Sequence, residues 1–290
     1  MYRPRLRSRH PSHEILRPRN KNLPLFPCKS VIRLGSTTDL QDTVTNGGNR
    51  IEINTIEAIK NSSNKRWMKE LFTQDGIKTA EWWSLYTLPE NDIVNHEYQL
   101  YREENEENVI LRLHELPYPI ISKNIYGSRG RGNIKHDNKE SLEAWMEGKD
   151  LDNYIFEKYY NYVREYRIHV TENGYFYACR KMLKNGTDNK DRWYRNNDHC
   201  VWIVEENPLF DKPNNWDKLI EECVKSLKSI KLDIGAIDLK IQSNRNKDGS
   251  INNDPKFIII EINSAPSFGN ITEIKYIEEI TKLLNKKCNE

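Results

Sequence analysis

The sequence predicts an α+β fold, and three observations lead to that prediction. Short runs rich in β-branched and aromatic residues, such as 166–171 and 175–183, have the length and composition of strands. Longer segments, such as 216–230, place apolar residues at helical spacing. An Asn-Gly turn at residues 173–174 joins two strand runs as a hairpin, so we expect mainly antiparallel pairing in the second half of the chain.

Composition is that of a folded protein without a membrane span. Of the 290 residues only 37% are apolar, yet 7 Trp, 15 Tyr and 7 Phe supply bulky side chains for a core. The apolar runs are too short for a transmembrane helix, and no secretory signal follows the first residue. Five cysteines without CxxC spacing argue against a zinc cluster or disulfide framework, and they favour a reducing, cytoplasmic setting.

The net charge of +2 is unevenly distributed. Residues 1–33 hold nine lysines and arginines and one glutamate, a net charge of +8, which leaves −6 for the rest. Pro4, Pro11 and Pro18 interrupt any helix in this segment, so we expect a basic arm. A solvated tail is one interpretation, favoured for residues 3–9. Attraction to the phosphates of a nucleic acid or to an acidic partner is the other.

The elements follow in order along the chain. A helix is predicted to begin after Thr55, to break at 61–64 and to end at Gly76. The polar, acidic residues 90–107 are predicted to be a surface insertion, and 185–200 a polar loop. Strands are predicted at 30–34, 50–53, 109–113, 118–122, 154–160, 166–171, 175–183, 234–241 and 256–262, with an extended segment at 77–85. Further helices are predicted at 139–147, 216–230 and 272–286.

A glycine-rich basic loop follows the predicted strand that ends at Lys123. Its glycines would let backbone N–H groups approach an anion, while a hydroxyl and two guanidinium groups add donors and positive charge. The residues concerned are Gly127, Ser128, Arg129, Gly130, Arg131 and Gly132. The spacing fits neither a P-loop nor a Rossmann turn. An ordinary flexible hairpin is the alternative interpretation.

Two late strands carry acids among apolar residues. With period two, Asp238 shares a face with Ala236 and Lys240, and Glu261 shares a face with Ile259 and Asn263. A carboxylate buried near a strand end needs a partner or a metal ion. Two carboxylates and an amide oxygen suit Mg²⁺, whereas a salt bridge to a nearby Lys or Arg is the alternative.

The order of these motifs resembles the ATP-grasp superfamily, especially its ribosomal-protein glutamate ligases and related amino-acid ligases. The most specific element is Glu-Ile-Asn-Ser-Ala-Pro at 261–266, which matches the family's Glu-x-Asn-x-x-Pro and follows Gly-x-x-Asp at 235–238. The segment Glu-Tyr-Arg-Ile-His-Val at 165–170 is similar to one in uncharacterised bacteriophage ATP-grasp proteins. The resemblance covers residues 50–285 and implies two α+β lobes with ATP between them.

The resemblance also implies the ligands of ATP and Mg²⁺. Lys65, with Lys60 and Lys69 as alternatives, and Lys123 would bind phosphates, and residues 127–132 would form a flap over the β- and γ-phosphates. The strand of Glu157, Lys158, Tyr159 and Tyr160 would be the hinge whose backbone reads adenine. Glu165 would bind the ribose hydroxyls. The implied magnesium ligands are Asp238, Glu261 and Asn263.

The resemblance assigns the catalytic role to three basic residues. Arg167 would meet the γ-phosphate and the substrate carboxylate. Strand alternation allows only one of Arg180 and Lys181 to face the site, and we prefer Lys181, with Arg195 and Asn196, for handling the acyl-phosphate. His169 is expected to face away from Arg167 or to pack in the core. Four tryptophans are expected in core or lid packing: Trp82, Trp83, Trp193 and Trp202.

The predicted organisation has four parts. Residues 1–33 form the basic arm, 34–85 a reduced form of the family's N-terminal domain, 86–160 the small lobe with the flap, and 161–290 the large lobe with the magnesium site. That reduction leaves the acceptor substrate open, because the missing domain helps to hold the acceptor in the family.

The implied activity is that of an ATP-dependent carboxylate–amine ligase that forms an amide through an acyl-phosphate and releases ADP and phosphate. Its substrates would be small-molecule or peptide carboxylates and amines, and it would not associate with a membrane. The chain would be a candidate homo-oligomer located in the cytoplasm, which would be the host cytoplasm if a phage encodes the protein. One alternative is a nucleic-acid or modified-nucleotide acceptor held by residues 1–33. Another is a non-catalytic nucleotide-binding or virion-assembly protein on the same fold.

Overall fold

The computed structural model describes residues 1–16, 22–38, 51–85, 98–104, 107–128, 130–193, 195 and 199–290. These residues form three sheets and five α-helices. The mixture of helix and antiparallel sheet confirms the predicted α+β class. Among the described segments, no helix is both long and apolar enough to cross a membrane.

The N-terminal sheet contains β1 (Arg5–Ser8), β2 (Ser30–Leu34) and β3 (Ile51–Ile53), which pair in parallel in that order. A 3₁₀ helix, Pro11–Leu16, follows β1. One face of the sheet packs on the C-terminal helix α5 (Asn270–Asn289), with Leu34 and Phe26 among the buried contacts.

This packing corrects the prediction for the basic arm. A solvated tail is wrong for residues 1–16, because β1 pairs with β2 and Leu16 is fully buried against the same core. The predicted boundary after residue 33 also lies inside β2. The sequence pattern did not reveal this packing, because the segment is mostly charged and its few apolar residues contact α5 at the opposite end of the chain. Residues 17–21, with Arg17, Arg19 and Lys21, lie outside the described residues.

Two consecutive helices follow the N-terminal sheet, as predicted. In α1 (Ile56–Ser63), the side chain of the N-cap Thr55 accepts a hydrogen bond from the Ala58 N–H. Asn64 ends α1 and caps α2 (Lys65–Gln74), because its Oδ1 accepts from the N–H groups of Arg66 and Trp67. The break thus sets Lys65 at the first position of α2.

The small lobe is an antiparallel sheet in the order β6-β5-β4-β9-β7-β8 among the described residues. Its strands are β4 (Trp82–Leu85), β5 (Gln99–Glu104), β6 (Glu107–Arg112), β7 (Ile120–Asn124), β8 (Ile134–His136) and β9 (Tyr154–Lys158). Helix α3 (Lys139–Met146) packs on one face. The surface insertion predicted at 90–107 is wrong for 99–104, where buried Leu100 anchors β5; residues 90–97 and 105–106 lie outside the described residues.

The large lobe is an antiparallel sheet in the order β12-β11-β10-β13-β14 among the described residues. Its strands are β10 (Arg164–Thr171), β11 (Gly174–Leu183), β12 (Cys200–Val204), β13 (Ile234–Ile241) and β14 (Phe257–Asn263). Helix α4 (Trp216–Ile230) packs with α1 and α2 on one face. The opposite face holds the charged residues discussed below. Strand β12 was not predicted.

A bulge in β14 corrects one predicted face. Asp238 pairs with Glu261, but the next residue, Leu239, pairs with Ile259, so one residue of β14 is left over. Ile259 therefore packs in the core with Phe257 and does not share the face of Glu261.

A disulfide links Cys28, in the segment before β2, to Cys288, in the last turn of α5. The prediction against a disulfide framework did not foresee this bond. Cys179, Cys200 and Cys223 are free and buried.

Candidate functional site

The charged face of the large-lobe sheet is built by strand pairing. Cross-strand partners in an antiparallel sheet share a face, so Glu165 lies between Lys181 and Lys240, and Arg167 lies beside Asp238. Arg180 falls on the opposite face, where it pairs with Asp211. The structure thus leaves Lys181, not Arg180, on the face of Arg167.

Asp238 and Arg167 form a bidentate ion pair. Arg167 donates from Nε to Oδ1 of Asp238 at 2.7 Å and from Nη2 to Oδ2 at 2.8 Å. Burial disfavours the charged carboxylate of Asp238, but Arg167 and Lys181 outweigh it and hold the pKa of Asp238 below its usual value. Asp238 is therefore ionised at neutral pH.

The three predicted metal ligands lie close together on this face. The Asn263 amide nitrogen lies 3.4 Å from Asp238 Oδ2 and 3.4 Å from Glu261 Oε1. Because amide N and O atoms are assigned from such contacts, a half-turn of the Asn263 amide would present its oxygen at the same place. Two carboxylates and one amide thus meet within hydrogen-bond distance, a donor set that fits Mg²⁺.

Lys65 connects this cluster to the glycine-rich loop. Its ammonium nitrogen lies 3.9 Å from Glu261 Oε2 and donates to the Gly127 carbonyl. Burial lowers the pKa of Lys65, although Glu261 opposes this effect. The phosphate lysine, the loop and the acid cluster predicted from the sequence therefore face one cleft between the lobes.

The loop itself is shaped by its glycines. A Cβ on Gly127 would lie 3.2 Å from the Asn124 carbonyl oxygen and 3.3 Å from that of Arg131, so a side chain there would crowd the backbone. Gly130 and Gly132 adopt φ of +71° and +76°, which favours glycine. Ser128 and Arg131 are exposed, and Arg129 lies outside the described residues.

Lys123 and Glu157 of the small lobe form a buried trio with Lys69 of α2. Lys123 donates to Glu157 Oε2 at 2.7 Å, and Lys69 Nζ lies 3.3 Å from Glu157 Oε1. Burial would raise the pKa of Glu157, but the two lysines lower it. Burial also lowers the pKa of Lys69 to about 8 despite its contact with Glu157. Lys69, one helical turn after Lys65, is fully buried beside Glu157 and does not replace Lys65 next to the loop.

The predicted hinge runs along the end of β9. The side chains of Lys158 and Tyr160 contact Glu81, at 2.9 Å and 3.4 Å from its Oε1. The Tyr159 ring lies between Lys135 and Lys240, whose ammonium groups are 5.3 Å and 5.4 Å from its centroid. Tyr159 therefore sits where the two lobes meet.

Glu165 is surrounded by cations. Lys181 donates to its Oε1 at 2.9 Å, and Arg195 Nη1 lies 3.9 Å from its Oε2. Burial would lower the pKa of Lys181, but Glu165 raises it. Arg195 also donates to the Val163 carbonyl at 2.7 Å, and Asn196 lies outside the described residues.

Two positions on this face received no binding or catalytic role from sequence reasoning. The Trp202 ring lies 4.8 Å from the Arg167 guanidinium carbon and 5.0 Å from Lys181 Nζ, so it covers both cations. Lys240 is almost fully buried and lies two residues from Asp238 on the same face. Its spacing from Asp238 was the available signal; Trp202 lay in the strand that was not predicted.

His169 corrects another expectation. It lies on the same face as Arg167, two residues along β10, but α5 covers it and Tyr276 Oη is 3.1 Å from its Nδ1. Burial and the nearby Arg167 lower the pKa of His169 to about 3, so the ring is neutral. The expectation that it packs in the core is confirmed, and the expectation that it faces away from Arg167 is wrong.

Comparisons with known proteins identify the fold. D-alanine–D-alanine ligase from Bacillus anthracis has a TM-score of 0.57 at 15% identity, covering 89% of this chain and 81% of the ligase. The same enzyme complexed with ATP has a TM-score of 0.56 at 14% identity, and the match covers 90% of this chain and 80% of the ligase. Carboxyaminoimidazole ribonucleotide synthase from Aspergillus clavatus complexed with ATP has a TM-score of 0.53 at 16% identity, and the match covers 82% of this chain. The chain spans 53% of that synthase, about half its length.

No family model matches the chain, and no curated protein matches it in sequence. At these identities the structural likeness establishes the fold alone: the chain has the ATP-grasp fold, as the resemblance implied.

Proposed function

We propose that the protein is an ATP-dependent ligase that joins a carboxylate to an amine and releases ADP and phosphate. The observation that carries this proposal is the position of Lys65, whose ammonium lies between the loop carbonyl of Gly127 and the carboxylate of Glu261. A triphosphate in this cleft would meet the lysine, the loop and the acid cluster together. The structural neighbours are ATP-grasp ligases, two of them complexed with ATP.

Asp238, Glu261 and Asn263 would hold Mg²⁺. When bound, the ion would supply positive charge that neutralises charge on the nucleotide phosphates. Asp238 can accept this role while bonded to Arg167, because each carboxylate oxygen has two lone pairs.

Four cations of the chain would stabilise the transferring phosphoryl group. Lys65 of α2 and Lys123 of the small lobe would bind the phosphates, and Arg167 would face them from the large lobe. The bidentate bond to Asp238 and the Trp202 ring fix the plane of the Arg167 guanidinium before any substrate binds. Lys69 would add charge from beneath, beside Glu157.

The proposed reaction has two steps. An oxygen of the substrate carboxylate attacks the γ-phosphorus of ATP, the bond from that phosphorus to ADP breaks, and an acyl-phosphate forms. The amine then attacks the acyl carbon, the carbon–oxygen bond to phosphate breaks, and the amine loses a proton to give the amide. Lys181 and Arg195 would stabilise the leaving phosphate. Closure of residues 127–132 would keep water from the intermediate.

The test is to incubate the protein with ATP, Mg²⁺ and pools of amino acids, dipeptides and amines, and to identify the nucleotide product. Hydroxylamine added in place of the amine should trap the acyl-phosphate as a hydroxamate. We expect ADP and phosphate, lost in Lys123→Met and kept in the control Lys149→Met, whose side chain is exposed. Release of AMP and pyrophosphate would contradict the proposal.

The finer assignments stay predictions. These are the glutamate-ligase branch, the phage origin, the oligomer, the cytoplasmic location and a nucleic-acid acceptor bound by residues 1–33. For the last, the combined change Arg3→Gln, Arg5→Gln and Arg9→Gln, at three exposed positions, should reduce a steep salt dependence of nucleic-acid binding.

A further inference from the structure

Lys240 is a buried lysine at the junction of the lobes. It lies on β13, two residues and about 6.8 Å from Asp238 along the strand. Its exposed fraction is 9%. Burying an ammonium is costly, so a lysine at such a position normally has an anionic or acceptor-rich partner.

Among the described residues, Lys240 has one hydrogen-bond acceptor and no carboxylate partner. Its Nζ donates to the Trp193 carbonyl at 3.2 Å and lies 5.4 Å from the Tyr159 centroid, and no described carboxylate lies within ion-pair distance. Each neighbouring cation forms an ion pair with a carboxylate: Lys181 with Glu165, Arg167 with Asp238 and Lys123 with Glu157. An ammonium can make three hydrogen bonds, so Lys240 has donors left for a ligand.

The position of Lys240 indicates which part of a nucleotide it would meet. The acid cluster lies on one side of it along β13, so the phosphates belong there. Glu165 lies directly opposite Lys240 on β10, and the Tyr159 ring of the hinge strand lies 5.4 Å from the Lys240 Nζ. A nucleotide that extends from the acid cluster to the hinge would bring its base to Lys240.

We propose that Lys240 donates a hydrogen bond to the nucleobase and makes the site accept a guanine nucleotide at least as well as ATP. This inference rests on the proposed function. An ammonium only donates. Guanine presents two neighbouring acceptors, O6 and N7, whereas adenine presents a donor amino group beside N7. A single lysine therefore favours guanine by about 1–3 kcal/mol when it faces this edge of the base.

The experiment measures the affinities of the imido analogues of ATP and GTP by isothermal titration calorimetry with Mg²⁺ present. For the wild type we expect the GTP analogue to bind with equal or lower Kd. Lys240→Met should weaken the GTP analogue relative to the ATP analogue by about tenfold or more. The control Lys256→Met, an exposed lysine on the neighbouring segment, should leave the ratio unchanged. Lys240→Gln, which keeps a donor, should give an intermediate ratio.

Two results would overturn the inference alone: an ATP analogue that binds the wild type more than about tenfold tighter than the GTP analogue, or a ratio unchanged in both Lys240 variants. Failure of both analogues to bind the wild type with Mg²⁺ would overturn the proposed function as well. Thermal unfolding checks that the variants fold, and removal of a buried charge without a carboxylate partner should not lower Tm.

Discussion

The cleft between the lobes and the N-terminal sheet with α5 are stabilised in opposite ways. In the cleft, buried charges pair across strands, as Arg167 does with Asp238 and Lys123 with Glu157. In the N-terminal region, apolar side chains such as Phe26 and Leu34 pack on α5. Buried ion pairs contribute little net stability, whereas apolar burial contributes much. We therefore infer that the cleft serves binding and the N-terminal region serves stability.

The two regions meet at the turn after β14. His13, fully buried in the 3₁₀ helix, has its Nε2 2.8 Å from the Pro266 carbonyl, and its ring lies 4.4 Å from that of Phe268. Pro266 follows Asn263 by three residues. The N-terminal segment thus supports the turn that follows the acid cluster.

The largest expected effect is on the N-terminal core. Phe26→Ala should lower the free energy of unfolding by about 3–5 kcal/mol, because it leaves a cavity against α5. Chemical denaturation measures this change. The control Leu25→Ala removes an exposed neighbour and should cost less than about 1 kcal/mol. Equal effects of the two variants would contradict a stabilising role for this core.

Acid should loosen the junction. Burial lowers the pKa of His13 from 6.5 to about 4, so between these values the unfolded chain binds a proton that the folded chain does not. Stability from this group is therefore complete above pH 6.5 and falls as the pH drops towards 4, by about 3 kcal/mol in all. Unfolding measured against pH should show this loss in the wild type, and His13→Gln should flatten it. An identical slope in both proteins would refute the assignment.

A substitution in the cleft should change ligand binding more than the free energy of unfolding. Glu261→Gln removes one charge from the acid cluster and should weaken Mg²⁺-dependent ATP binding by at least about 100-fold, since even outer partners of metal ligands are worth ~10–100-fold. The free energy of unfolding should change by less than about 1 kcal/mol, because Glu261 is partly exposed and lies 3.9 Å from Lys65. Calorimetric titration measures the binding, with Glu278→Gln on α5 as control. A large loss of stability without loss of binding would reverse the comparison.

Trp202 should give the smallest effect. Trp202→Leu removes the ring that covers Arg167 and Lys181, and it should lower kcat for ADP release by about tenfold while KM for ATP changes little. Trp202→Phe should restore most of the rate, because an aromatic face remains. A fall in Tm with unchanged kcat would make Trp202 a packing residue only.

The candidate site was more predictable from the sequence than the N-terminal region. Acids within apolar strands and glycines beside basic residues are unusual patterns, so Asp238, Glu261 and the 127–132 loop could be found from spacing alone. Strand period two placed Lys240 on the face of Asp238, but it could not show that Tyr159 and Trp193 approach from elsewhere in the chain.

The errors arose where distant contacts or backbone irregularities decide the structure. The pairing of β1 with β2 and the Cys28–Cys288 disulfide depend on segments far apart in sequence. The bulge beside Asp238 moved Ile259 to the core face, and no side-chain pattern marked it. Lys69 was considered only as a substitute for Lys65, whereas the helix places Lys65 beside Glu261 and Lys69 beside Glu157.

A crystal structure with an ATP analogue and Mg²⁺ tests the central claim most directly. The account predicts a divalent ion about 2.1 Å from oxygens of Asp238, Glu261 and Asn263, with the triphosphate between them and Lys65. A nucleotide bound outside this cleft, or an ion that none of the three side chains ligates, would contradict it.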